Sequence, residues 1–155
     1  MDVLAATREG ILTITNETVL SRHGVDMSGL ELPDLEVPIL SASQRQGDVL
    51  VRRVPARSIP GAEVIGPAGV VVVRAETASA NTHTLFTLSG VCRWAPNPDA
   101  ADPIELVEGW LTIGMDAEAV LIHTEEHNVV GIGPGTYEIR RQREFDENTW
   151  QRVFD

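Results

Sequence analysis

Apolar residues fall in short runs along most of this chain, and glycine or proline follows many of them. That pattern predicts many short strands rather than helices. Ile11-Leu12-Thr13-Ile14-Thr15 alternates and reads as one strand. Val49-Leu50-Val51 reads as another, ended by Pro55. Glu63 to Ile65 and Val70-Val71-Val72-Val73 follow two turns, Ile59-Pro60-Gly61 and Gly66-Pro67-Ala68-Gly69. The valine run suits a strand buried on both faces. Thr84 to Leu88, Leu106 to Ile113, Ala119 to His123, Asn128 to Ile132 and Thr136 to Arg140 complete the set. The loop from Ala95 to Pro103 is polar and rich in proline, and Gly133-Pro134-Gly135 has type II turn chemistry.

The two ends differ from this body. Leu30 to Leu40 repeats apolar residues, yet Pro33 and Pro38 exclude a helix there and disfavour a central strand. An extended arm lying on a surface, its own or a neighbour's, satisfies both facts. The last ten residues read as a short helix. Asp146 caps it, Glu147 favours its first turn, and Trp150, Val153 and Phe154 share a face. The expected organisation is an extended arm over 1–44, an antiparallel all-β barrel or jelly roll over 45–145, and a C-terminal helix over 146–155.

Length and composition fit one domain: 155 residues, 43% hydrophobic. The formal net charge of −11 repels phosphate backbones, so nucleic acid is not an expected partner. No run approaches the roughly 18 apolar residues of a membrane span. The start, Met1-Asp2-Val3-Leu4, lacks the pattern of a signal peptide, and the expected location is cytoplasmic or within a particle. The one cysteine, Cys92, lies in an apolar segment and reads as a buried structural thiol.

Histidines carry the candidate chemistry. His123-Thr124-Glu125-Glu126-His127 is the densest cluster of possible ligands. It is not the zinc-protease pattern, which needs glutamate directly after the first histidine. Its flanks are strands, so it reads as a hairpin connection. His83, in Asn81-Thr82-His83, stands where a β-barrel of the cupin kind places the second member of a His-x-His pair. Neutral imidazoles brought together by facing strands suit zinc, iron or nickel. The candidate metal ligands are therefore His83, His127 and Glu125, with Glu126 as the alternative carboxylate. His23 beside Gly24 reads as a surface histidine. Gly131-Ile132-Gly133-Pro134-Gly135 lacks the spacing and the following helix of a phosphate loop. Arg140-Arg141-Gln142-Arg143 reads as a solvated strand edge, with an anion contact as the alternative. No serine sits in a nucleophile elbow, so no catalytic residue is assigned.

The stretch from Arg45-Gln46-Gly47-Asp48-Val49-Leu50 to Pro134-Gly135-Thr136-Tyr137-Glu138, with Arg141-Gln142-Arg143-Glu144-Phe145 after it, resembles a small family found in bacteria and phages. Its members look like compact cupin-like barrels. They carry a Gly-His-x-His element and a later His-Glu-Glu-His element. Here Asn81 and Thr124 stand where the leading histidines belong. The resemblance implies a cupin-like fold and a metal site that has lost half its ligands. Two expectations follow. The first is a non-catalytic subunit of a larger assembly, such as a capsid decoration protein of a phage particle, docking on copies or other subunits through its arm. The second is a cupin-like protein that binds one transition-metal ion and acts on a small molecule.

Overall fold

The computed structural model describes residues 14–25, 30, 34–73, 82–102, 104–124, 128–141, 143–146 and 149–152. Alternation in the sequence becomes two facing sheets, not closed into a barrel. The first holds β1 (Ile39–Leu40), β10 (Asn128–Ile132), β9 (Glu118–His123), β6 (His83–Ser89) and β5 (Val70–Val73), in that order. The second holds β2 (Gln44–Gln46), β3 (Val49–Val54), β11 (Gly135–Arg141), β8 (Val107–Ile113), β7 (Cys92–Pro96) and β4 (Glu63–Val64). Pairings are antiparallel except β1 with β10. The chain crosses between sheets at β1–β2, β4–β5, β6–β7, β8–β9 and β10–β11. Among the described residues no helix is long and apolar enough to cross a membrane.

The main core lies between the sheets and includes Val51, Leu85, Cys92, Leu111, Leu121, Tyr137 and Ile139. Tyr137 also fixes the last crossover, since its hydroxyl donates to the carbonyl of Gly133 at 2.8 Å. A second core lies on the outer side of the first sheet. There Ile14, Val19, Leu20 and Val37 cluster with Leu88, Val120 and Ile122. Every residue of β9 is consequently buried. Ala119 and Leu121 face the second sheet, and Val120 and Ile122 face the N-terminal layer. The valine run expected in that role is instead the edge strand β5, half-buried at Val70 and Val71.

The N-terminal segment is not simply extended. It contains α1 (Asn16–Arg22), which the sequence reading did not anticipate. Thr15 caps it by accepting the Thr18 amide at 3.2 Å. At the other end Val25 N donates to Leu20 O and Gly24 N to Ser21 O, the paired bonds of a Schellman close. Gly24 supplies the left-handed residue that this close requires, at φ 68°. The extended stretch before β1 returns beside the helix start: Val37 N donates to Ile14 O and Asn16 N to Leu35 O. Helix and return strand together cover their own sheet.

The C-terminal expectation fails as well. Strands β12 (Arg143–Asp146) and β13 (Thr149–Arg152) pair antiparallel where the helix was expected to lie, with Phe145 opposite Trp150 in register, and residues 147–148 and 153–155 of that expectation lie outside the described residues. A helix of about ten residues nucleates poorly in water.

Candidate functional site

Two histidines end up side by side because their strands do. β6 and β9 are central neighbours, and their register sets His83 opposite His123. His83 is in phase with Leu85 and His123 with Leu121, so both point into the space between the sheets. Both are buried. Their rings stack with centroids 4.2 Å apart and planes tilted by 12°. His83 opens β6 and His123 closes β9, which puts the pair at one end of the sandwich.

A third polar side chain reaches the pair from the opposite sheet. β2 and β3 form a two-residue hairpin across Gly47-Asp48, with Gly47 at φ 57° as such a turn needs. The register sets Gln46 opposite Val49 and turns both inward. Gln46 is 1% exposed. Its Oε1 lies 2.8 Å from His83 Nδ1. Its Nε2 donates to Leu121 O at 2.9 Å, Asn128 O at 3.0 Å and Asn128 Oδ1 at 3.1 Å. Leaving such a buried amide without partners costs about 1–3 kcal/mol per group. Gln46 thus binds the second sheet to strands β9 and β10 of the first. Gln44 adds a parallel tie, donating to Gly131 O at 2.7 Å.

Of the sequence-predicted ligands, His83 occupies this site. His127, Glu125 and Glu126 lie outside the described residues. His123 takes the place beside His83, as the last residue of β9. Among the described residues no group of three or more His, Cys, Asp or Glu gathers as a metal cluster. The donor set on hand is two imidazoles, with an amide behind one of them. The sequence reading passed over Gln46, although a polar residue at the inward phase beside a tight turn was its signal.

Other candidates resolve differently. His23, at the C-terminal end of α1, is half-buried, and its ring stacks on Phe86 at 4.3 Å. Burial, helped by neighbouring Arg22, lowers its pKa below 6.5. Arg141 is not solvated, pairing with Glu108 at 2.6 Å in a nearly buried contact. Arg140 turns the other way, to Glu138 at 3.8 Å. Cys92 is fully buried and free, and burial raises the pKa of its thiol.

A two-sheet protein with an interior histidine pair is a broad class, and comparison narrows it by one step. The chain belongs to the family described as "Domain of unknown function (DUF8820)", which matches residues 45–142. The match takes in β3 to β11 whole, together with Gln46, His83 and His123, and leaves out α1 and β1. No curated protein and no solved structure matches the chain.

Proposed function

We propose that this protein binds a single transition-metal ion through His83 and His123, in a cupin-like arrangement, with chemistry on a small molecule at the open coordination positions. The observation that carries this reading is the buried His83–His123 pair with Gln46 behind it. Paired neutral imidazoles suit zinc, nickel, copper or iron. A ligating histidine normally gives its other ring N–H to a carbonyl or carboxylate, and the Gln46 amide oxygen at 2.8 Å from Nδ1 is such a partner. Glu125 and His127 follow His123 within four positions and are the sequence's candidates for the remaining ligands. Elemental analysis of untagged protein tests the proposal. About one metal per chain is expected in the wild type, with loss in both His83→Ala and His123→Ala while the fold persists. Equal metal content in wild type and both variants would refute it.

A second reading, a non-catalytic subunit of a larger assembly such as a phage particle, has its own support. The outer face of the second sheet gathers arginines around an indole. Arg52 stands opposite Glu138, which stands opposite Trp110. Arg57 lies over the Trp110 ring at 5.9 Å. Arg93 is opposite Thr112, on the same face. In a chain of net charge −11 such a face complements the acidic surface of another copy. Part of the N-terminal segment, α1 with Ile14 and Val37, packs on the first sheet of its own chain, so this reading is argued from the arginine face and not from the arm. Molar mass in solution decides: an oligomer that dissociates in the double variant Arg52→Glu, Arg93→Glu supports assembly through this face. A wild-type monomer removes it.

A further inference from the structure

The interior amide of Gln46 has only one workable orientation. Three oxygens surround its Nε2: Leu121 O, Asn128 O and Asn128 Oδ1, at 2.9, 3.0 and 3.1 Å. Turned around, the amide would set its oxygen against two backbone carbonyls that have no hydrogen to give. Oε1 is therefore the atom that meets His83 Nδ1. An amide oxygen only accepts, so the hydrogen of that bond belongs to the ring.

We propose that Gln46 locks neutral His83 in the tautomer protonated at Nδ1 and so makes Nε2 the atom through which His83 meets a metal ion. A histidine in water favours the opposite tautomer, with its hydrogen on Nε2. The protein thus imposes the less common form. Only an unprotonated ring nitrogen has a lone pair for a cation, and the partner of the other nitrogen decides which one that is. Gln46 acts here as a positioning residue. Its control passes between the sheets, because the residue that sets the tautomer lies on β2 and the histidine on β6. The part of the inference that concerns metal rests on the function proposed above; the tautomer does not.

The test is two-bond proton–nitrogen correlation NMR on full-length, chelator-treated, nitrogen-15-labelled protein at mildly alkaline pH. The chain has four histidines, and single His→Gln variants assign their rings. His83 is expected to show the pattern of a protonated Nδ1 and an unprotonated Nε2. A protonated Nε2, or the averaged shifts of a ring exchanging between tautomers, overturns the proposal on the wild type alone. Gln46→Leu keeps the bulk but removes the acceptor. In that variant, folded by circular dichroism, the His83 pattern is expected to move toward the protonated Nε2 form. If it stays as in the wild type, something other than Gln46 sets the tautomer and the proposal fails. Zinc titration of the wild type separates the two halves. A shift of His83 Nε2 supports its role as ligand atom. An unmoved Nε2 in a correctly locked ring refutes the metal role and leaves the tautomer standing.

Discussion

Replacing Leu20 with alanine tests whether the N-terminal segment is part of the fold. Leu20 lies on the last turn of α1, is fully buried and belongs to the outer core with Val120 and Ile122 of β9. Its backbone carbonyl also accepts Val25 N in the helix close. A rigid helix over a central strand leaves little freedom to collapse into the cavity. Leu→Ala changes at such sites cost about 2–5 kcal/mol. With a urea slope of about 2 kcal/mol per molar, a loss near 3 kcal/mol lowers the unfolding midpoint by roughly 1.5 M. That is a large part of the roughly 5–15 kcal/mol that holds a domain together. Leu35→Ala serves as control within the same segment, since Leu35 is 52% exposed. Its stability is expected to change by less than about 0.5 kcal/mol. Equal midpoints for Leu20→Ala and the wild type would refute the reasoning, and the segment would then be an arm with other business.

Three further outcomes are expected. Gly131→Ala places a methyl group against Ile39 and 2.6 Å from the carbonyl of Pro38, so it drives β1 from β10. A lowered thermal midpoint and faster amide exchange in Leu40 and Gly133 report it, and unchanged exchange contradicts it. His23 has a folded-state pKa below its ordinary 6.5, so the unfolded chain takes up its proton first as pH falls. The stabilisation from neutral His23 is complete above 6.5 and declines as pH drops through 6.5 toward the lowered folded value. The stability difference between wild type and His23→Phe, followed by urea unfolding against pH, should carry that slope; a flat difference disproves it. The Cys92 thiol is buried with its pKa raised, and a thiol reagent should modify it only in denaturant. Rapid labelling of native protein would show that the thiol is open to solvent.

The strands were readable because their signals are local. Proline or glycine closed most runs, and the alternation of Thr136 to Arg140 gave the inward face of β11, where Tyr137 and Ile139 are buried. Reading failed where the partner of a segment decides its form. A continuous apolar run says that both faces are covered but does not say by what. Val70 to Val73 and Ala119 to Ile122 look alike in sequence, yet only the second received a layer on each side. Helix α1 had legible ends in Thr15 and Gly24. It was obscured because the prolines at 33 and 38 drew the whole segment into the extended class. At the C-terminus a weak helix pattern lost to backbone pairing of β12 with β13.

The site was half legible for a related reason. Histidine attracts notice by its chemistry, so His83 was found directly and His123 through its cluster. Which histidines meet depends on register, and register is a property of two strands. A shift of one residue between β6 and β9 would send one imidazole into the outer core and break the pair. Two structural features hold that register. On one side of β9 the N-terminal layer packs on Val120 and Ile122. On the other, Gln46 takes the carbonyl of Leu121, two residues from His123, while its oxygen meets His83. One side chain therefore spans the sheets, fixes the strand that carries His123, and orients the ring of His83. The residues that most constrain this pair are an amide and a set of aliphatic side chains, types that reveal a role only when the contacts around them are known.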